Sequence, residues 1–179
     1  MTLILTNVPA GTNFASRVTL SGADGLIRGQ NTNGTFEPGE PLHAGERGGK
    51  AVWYTWTAPF TGIVSMQTAG STFDTLLAVY TGSVLSNLVA VASDEGSGGF
   101  YTSKLRFNAF QGIKYQIAID GLDGDTGDFI LAWHEENTSH LLPIFITQPA
   151  SQTVAPGQDV TFTSLAVRVC GNEIGRAHV

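Results

Sequence analysis

Two adjacent stretches decide the fold: Ser103-Lys-Leu-Arg-Phe-Asn-Ala109 and Lys114-Tyr-Gln-Ile-Ala-Ile-Asp120. In the first, Leu105 and Phe107 lie on one side and polar residues on the other, and the second repeats this alternation. A period of two places successive side chains on opposite faces of a β-strand. Both stretches are therefore predicted to be strands that bury one face.

The same pattern recurs along the chain between short glycine- and proline-containing turns. Predicted strands occupy residues 15–20, 51–58, 63–68, 76–81, 89–93, 103–109, 114–120 and 129–133. Strands at this spacing, with no helical period between them, predict an all-β, two-layer antiparallel β-sandwich of jelly-roll type. The predicted buried residues are Leu105, Phe107, Ile117, Ile119, Leu131 and at least one of Trp53 and Trp56.

Composition narrows the class of protein. Only 13% of the 179 residues are charged, against about 25% in average globular domains. Hydroxyl residues, Asn and 22 glycines replace the charges, which is typical of extracellular β-proteins. The net charge of −6 and the lack of a basic tract argue against nucleic-acid binding, and no apolar run reaches the roughly 18 residues of a membrane span.

Changes in composition predict the domain boundaries. A poorly defined N-terminal segment covers residues 1–12, and the sandwich covers residues 13–134. Residues 135–142 are predicted to be a polar linker. A new element begins at Pro143, and residues 28–50 form a long polar loop of a length that is usually functional or disordered.

Three motifs carry a resemblance to a known family. They are Glu37-Pro-Gly-Glu-Pro41 with His43-Ala-Gly45, Val52-Trp-Tyr-Thr-Trp-Thr-Ala-Pro59, and Gly70-Ser-Thr-Phe-Asp-Thr-Leu-Leu-Ala-Val-Tyr-Thr-Gly82. With Tyr115-Gln-Ile-Ala-Ile-Asp-Gly121, they resemble repeat modules of secreted bacterial proteins related to the bacterial pre-peptidase C-terminal domain. The resemblance covers residues 13–133. It implies a non-catalytic β-sandwich attached to peptidases, adhesins or other extracellular modules, some of which bind calcium.

A second resemblance covers residues 146–163, which are similar to the first two strands of a bacterial immunoglobulin-like domain. We predict a truncated immunoglobulin-like start at residues 143–169, because such a domain needs about seven strands. Glu173-Ile-Gly-Arg-Ala-His-Val179 matches the translation of a common sequencing adapter. Residues 170–179 are therefore expected to be a non-native tail on a fragment of environmental origin, and residues after Thr163 are expected to lack stable tertiary contacts.

Catalysis is not expected. There is no Gly-x-Ser-x-Gly motif, and His43 is an isolated loop histidine. Glu37 and Glu40 lie beside prolines in a polar loop, which would not raise a carboxyl pKa as glycosidase chemistry requires.

Two oxygen-rich clusters are candidate calcium sites, because Ca²⁺ takes six to eight oxygen ligands. The first is Asn31, Asn33, Glu37 and Glu40, and the second is Asp120, Asp123, Asp125 and Asp128. Ordinary polar loops and aspartate-rich turns remain the alternative. Thr12 stands where the related family often has Asp, which weakens the first cluster.

Three further residues are assigned structural roles. Asp74 precedes an apolar strand and is predicted to pin the turn by accepting backbone N–H bonds. Trp53 and Trp56 are predicted to be core residues, with a sugar-stacking platform as the alternative.

The leading expectation is a non-catalytic extracellular or cell-surface accessory and adhesion module, with calcium as its candidate cofactor. Its partners would be other domains of the same parent chain and cell-surface or matrix glycans or proteins. The alternatives are a carbohydrate-binding module attached to a secreted hydrolase, and a fragment of an enzyme.

Overall fold

A computed structural model describes residues 5–7, 11–170 and 173–176. The strands in these residues are β1 (Leu5–Asn7), β2 (Val18–Leu20), β3 (Asp24–Gln30), β4 (Val52–Thr57), β5 (Gly62–Gln67), β6 (Thr75–Thr81), β7 (Val89–Asp94), β8 (Lys104–Ala109), β9 (Lys114–Gly121), β10 (Asp128–Asn137), β11 (Ile144–Thr147), β12 (Leu165–Cys170) and β13 (Glu173–Arg176). Single 3₁₀ turns occupy Phe14–Ser16, Leu85–Asn87 and Leu122–Gly124. Within these ranges, no helix is long and apolar enough to cross a membrane.

Two five-stranded sheets build the first of two compact units, which ends at Asn137. The first sheet has the order β1-β3-β10-β5-β8, and the second sheet has the order β2-β4-β9-β6-β7. Strands β3 to β10 follow the order of an eight-stranded jelly roll, in which β3, β5, β8 and β10 lie in one sheet and β4, β6, β7 and β9 in the other. The predicted all-β jelly-roll sandwich is confirmed.

One edge strand of each sheet differs from the predicted antiparallel pairing. Strand β1 pairs in parallel with β3, and β2 pairs in parallel with β4. Both are three-residue edge strands, so the eight strands of the jelly roll keep their antiparallel neighbours.

The sequence reading missed strand β3 and assigned its last residues to the long loop. Gly25 and Gly29 lie opposite Trp133 and Phe129 of β10. A Cβ at Gly25 would lie 2.1 Å from the Trp133 ring, and one at Gly29 would lie 2.5 Å from the Phe129 ring. The glycines therefore make room for aromatic rings of the neighbouring strand. Because glycine stands where an apolar side chain would otherwise be, β3 lacks the apolar alternation by which a strand is recognised in a sequence.

The main core lies between the sheets and contains the residues predicted for it. Leu105, Phe107, Ile117, Ile119 and Leu131 are all buried, and so are both Trp53 and Trp56. The indole N–H groups of Trp56 and Trp133 donate to the same carbonyl, that of Gly22, at 2.8 and 3.2 Å. One residue, Gly22, thus holds an indole ring from each of the two sheets.

The second sheet is buried on its outer face as well. Trp53, Tyr80, Ala78 and Ala118 point away from the main core and form a second cluster with Phe14 and Ala51. Strands β4, β6 and β9 are for this reason buried at nearly every position. The single buried face predicted for residues 103–109 is confirmed in β8, but the one predicted for residues 114–120 is wrong, because Gln116, Ala118 and Asp120 on the other face of β9 are buried as well.

The C-terminal part of the chain differs from the predictions. Strand β10 continues to Asn137, inside the predicted linker, because it pairs with β5 as far as Gly62. In the second unit, β12 pairs with both β11 and β13 in an antiparallel sheet. Residues 148–164 contain no strand, so the second immunoglobulin-like strand expected before Thr163 is absent. Residues 171–172 and 177–179 of the predicted tail, and residues 1–4 and 8–10 of the N-terminal segment, lie outside the described residues.

A single carboxylate faces the main core from β10. Glu135 is 4% exposed, and neither of its oxygens has a hydrogen-bond partner of good geometry in the described part of the chain. Burial raises the pKa of this carboxyl group, and the nearby Phe60 N–H lowers it by less. An ionised carboxylate here destabilises the fold, because its charge is neither solvated nor paired.

We predict that Glu135→Gln raises the melting temperature at pH 7–8 by roughly 2–4 °C. A pKa raised by folding gives stability that is complete at pH values below the ordinary carboxyl pKa and is lost as the pH rises through the folded-state value. The variant should lose this decline, and thermal melting from pH 4 to 8 would measure it. Glu136→Gln, at the exposed neighbouring position, is the control. Identical pH profiles for the parent and Glu135→Gln would contradict the prediction.

Candidate functional site

Residues 31–50, the long loop between β3 and β4, carry a buried polar network, which we define as Glu37, Glu40, His43, Tyr80 and Asp120. Glu40, His43, Tyr80 and Asp120 are buried, and Glu37 is half-buried. The loop contributes the first three residues, and strands β6 and β9 contribute Tyr80 and Asp120. The network thus connects the loop to the outer face of the second sheet.

The two ring nitrogens of His43 are both engaged. His43 Nε2 lies 3.0 Å from Glu40 Oε1, and Nδ1 lies 2.7 Å from the Tyr80 hydroxyl. A neutral imidazole satisfies both contacts, with Nε2–H donating to the carboxylate and the tyrosine O–H donating to Nδ1. Burial raises the pKa of Tyr80, and the charges of Glu40 and Asp120 raise it further, so the hydroxyl keeps its proton.

The carboxylates bind the backbone of the loop. Glu40 Oε2 accepts from Glu37 N at 2.7 Å, and Glu37 Oε2 accepts from Phe14 N at 2.5 Å. Asp120 accepts from the N–H groups of Gly49, Lys50 and Gly121 at 2.7–3.1 Å. Hydrogen bonds from backbone donors to charged acceptors are stronger than those to neutral ones. These bonds therefore hold the middle of the loop to Phe14 and its C-terminal end to β9.

Aromatic rings close the network from below. Trp53 packs edge-on against His43 and Phe14, with ring centroids 5.3 and 5.1 Å apart, and is tilted against Tyr80 at 6.1 Å. Trp53 and Trp56 are fully buried, so neither can form the sugar-stacking platform considered from the sequence.

Glu40, His43 and Asp120 present ligand atoms within 4.8 Å of one another, the spacing of a metal site. A mixed imidazole and carboxylate set suits zinc, whereas calcium prefers oxygen ligands alone. Each of these atoms already has a hydrogen-bond partner, and Asp120 has three. The geometry accordingly fits a closed structural network better than a metal centre.

The structure separates the first predicted calcium cluster. Asn31 is fully buried and bonds to the other loop, accepting from Gly127 N and donating to the Asp125 carbonyl, each at 2.9 Å. Asn33 is exposed, whereas Glu37 and Glu40 belong to the polar network. These four residues do not converge on one point.

The second predicted cluster is also divided. Asp120 is buried in the polar network, and Asp128 accepts from the Gln30 side chain at 2.7 Å. Asp123 and Asp125 are exposed in the β9–β10 loop, and Asp123 has a left-handed backbone with φ of 52°. Of these four residues, Asp123 and Asp125 are the ones whose carboxylates make no hydrogen bond to a described residue.

Asp74 does not act as predicted. Its main-chain carbonyl, and not its carboxylate, holds the turn by accepting from Leu122 N at 3.0 Å. The carboxylate makes no hydrogen bond or ion pair within the described residues and faces Asp125 across a pocket of about 380 Å³. Partial burial raises the pKa of Asp74, and the charge of Asp125 raises it further.

Sequence reasoning missed two residues at this pocket, Phe100 and Tyr101. They are 99% and 75% exposed, at the end of the β7–β8 loop. An available signal was Gly98-Gly-Phe-Tyr101, an aromatic pair following two glycines in a turn. This signal is weak, because nothing in the local sequence shows which way the rings point.

A second cleft, of about 450 Å³, lies on the outer face of the first sheet. It is lined by small residues such as Gly25, Ser65 and Ala132 and bordered by His134 and Asp24. His134 Nδ1 lies 2.5 Å from an Asp24 oxygen, and both side chains are more than half exposed. Such an exposed pair contributes little to stability.

The fold and these sites define a jelly-roll β-sandwich whose central polar cluster is closed. No family model matches the chain, and no curated protein matches it. Solved structures do. The chain is similar to PliG, a periplasmic inhibitor of g-type lysozyme from Aeromonas hydrophila, with 15% identity and a TM-score of 0.45 over 67% of this chain and 96% of that one.

A second similar structure is the pre-peptidase C-terminal domain of a Bacillus anthracis collagenase. The identity is 15% and the TM-score 0.42, over 72% of this chain and 96% of that one. A domain of the type indicated by the motifs is thus among the structures that this chain resembles. The immunoglobulin-like start is not confirmed, and neither similarity transfers a partner or a residue role.

We predict that Asp120→Asn lowers the free energy of unfolding by about 2–4 kcal/mol, because an amide offers one oxygen and no charge to three backbone donors. Chemical denaturation measures the change, and limited trypsin digestion should show faster cleavage at Arg47 and Lys50. Asp123→Asn, an exposed aspartate of the next loop, is the matched control and should change stability by less than about 0.5 kcal/mol. Equal effects of the two substitutions would show that Asp120 does not hold the loop.

Proposed function

We propose that this chain is a non-catalytic extracellular accessory module of a larger secreted protein. The module binds a target and thereby attaches the other domains of the parent protein to it. The observation that supports this best is the closed polar network. Its only histidine, His43, has both ring nitrogens engaged, and its carboxylates accept hydrogen bonds from protein groups. A general base must be within reach of a substrate, whereas the buried members of this cluster, Glu40, His43 and Asp120, have their ligand atoms bonded to protein groups.

The low charge content and the hydroxyl-rich composition support an extracellular location. Other domains of the parent chain and cell-surface or matrix proteins or glycans are the proposed partners. In a sandwich of this kind, the rigid sheets position the loops, and the loops make the contacts.

The test couples the whole chain to fluorescent microspheres and measures their retention on immobilised matrix proteins and cell-wall glycans. The same preparation is assayed with peptidase, esterase and glycosidase substrates. We expect retention above that of microspheres carrying heat-denatured protein, without turnover. Turnover that purifies with the folded protein would contradict the proposal, and so would retention equal to the denatured control.

A carbohydrate-binding module is the second candidate, and the exposure of Phe100 and Tyr101 favours it. Exposed aromatic rings stack on the apolar faces of sugars, and loops of β-sandwiches present them. A glycan array separates this candidate from protein adhesion.

Calcium stabilisation is proposed for the Asp123–Asp125 loop, because the other predicted carboxylates are engaged in hydrogen bonds. Calcium that binds only the folded state should raise the melting temperature relative to chelator, by mass action. The shift should survive Glu40→Gln and disappear in Asp123→Asn. Identical melting curves in calcium and chelator would remove calcium from the proposal, and loss of the shift in Glu40→Gln alone would place it in the other loop.

A further inference from the structure

Three loops meet around the 380 Å³ pocket at one end of the first unit. They connect β5 to β6, β7 to β8 and β9 to β10. Asp74 and Asp125 come from the first and third of these loops, and Phe100 and Tyr101 come from the second. The pocket is within the range of roughly 300–1,000 Å³ in which small groups bind.

Two physical preferences oppose the observed conformation of the two aromatic residues. Water disfavours exposed rings, and both residues have left-handed backbones, with φ of 50° and 62°. The Tyr101 carbonyl accepts from Thr75 N at 3.0 Å, and Thr102 N donates to the Gly99 carbonyl at 3.1 Å. The rest of the fold therefore enforces a conformation that the two residues would not adopt by themselves.

Buried hydroxyl groups make the base of this loop rigid. The Thr75 hydroxyl lies 2.6 Å from that of Thr68 and 3.0 Å from that of Ser103, and all three residues are buried. The Ser103 N–H donates to Thr68 at 2.8 Å. The start of β6 is thus joined to the residues that follow β5 and precede β8, close to Tyr101 and next to Asp74 in the chain.

The carboxylates of the pocket lack a counterion. In the described part of the chain, the ion pairs are His43–Glu40 and His134–Asp24, and neither involves Asp74 or Asp125. Their mutual repulsion contributes to the raised pKa of Asp74. A cation between them would relieve this repulsion, and an aromatic face beside them attracts the same kind of group.

We propose that the pocket formed by Asp74, Asp125, Phe100 and Tyr101 binds a lysine or arginine side chain of a basic protein partner. The carboxylates pair with the cation, and the rings cover its alkyl stem and its charged face. A neutral sugar would use the rings but leave the carboxylates unpaired, and a calcium ion would use the carboxylates but not the rings. This inference rests on the proposed adhesive function and names its partner class.

The experiment uses the whole chain and labelled hexalysine and hexa-arginine peptides, with fluorescence anisotropy at low ionic strength. Asp74→Asn and the double variant Phe100→Gly/Tyr101→Gly should each weaken binding about tenfold, within the range of cation–π and charge contributions. Glycine accepts a left-handed backbone, so the double variant should melt no lower than the parent.

Two controls match these changes. Glu136→Gln removes one exposed charge eight residues along β10 from Asp128, towards the opposite end of the strand, and should change the affinity less than twofold. Phe36→Ser removes an exposed ring of the long loop and should leave the affinity unchanged.

Several outcomes would overturn the inference. Equal losses in Asp74→Asn and Glu136→Gln would assign the binding to net charge alone. A neutral oligosaccharide that requires the rings but not Asp74 would make the pocket a sugar site, and calorimetric binding of calcium chloride alone that requires Asp74 but not the rings would make it a metal site. Adhesion that persists while the peptides do not bind would refute the cationic partner and leave the proposed function intact, whereas absence of adhesion would refute the proposed function itself.

Discussion

The structure depends on covering the apolar outer face of the second sheet. Trp53, Tyr80 and Ala118 lie on that face and are buried, although they point away from the main core. Fully burying aromatic side chains of this size contributes on the order of 2–3 kcal/mol each. The loop of residues 31–50 supplies the cover, and the carboxylate of Asp120 anchors it through backbone N–H groups. A long polar loop can close over an apolar surface only if its own backbone donors are satisfied.

The need to satisfy these backbone donors explains why titratable residues cluster beneath the loop. Glu37, Glu40, His43 and Asp120 have the residue types and proximity of an active or metal site, yet each is committed to a hydrogen bond within the protein. Clustered titratable residues arise equally from catalysis and from the need to satisfy buried polar groups. Here the second cause accounts for the contacts of these four residues.

The pocket lined by Asp74, Asp125, Phe100 and Tyr101, which we call the end pocket, contrasts with this network. Its carboxylates form no ion pair with any residue that the structure describes, its rings are exposed, and its backbone at Phe100 and Tyr101 is left-handed. The hydroxyl group of Thr75 and the strands below it keep the pocket in place. One end of a rigid sandwich thus presents groups that a monomer has no internal use for, which is the arrangement expected where a scaffold positions a contact site.

The sequence by itself determined the fold class. The alternation in residues 103–109 and 114–120 specifies strands, because the period of side-chain direction is a local property of the backbone. Strand β8 buries one face as predicted, whereas β9 buries both, because the outer face of its sheet is covered as well. It also identified the residues of β8 and β9 that face the main core, and the jelly-roll order of the sheets agrees with the predicted sandwich.

Tertiary structure alone decided β3, the polar network and the end pocket. Gly25 and Gly29 belong to a strand only because rings of β10 fill the space above them. Asp120 meets a loop whose bonded donors are some 70 residues earlier, while Asp74 and Asp125 come to one pocket from two separate loops. A local pattern indicates which residues face the main core. The packing order of the strands decides which polar groups become partners, and a local sequence pattern does not contain that order.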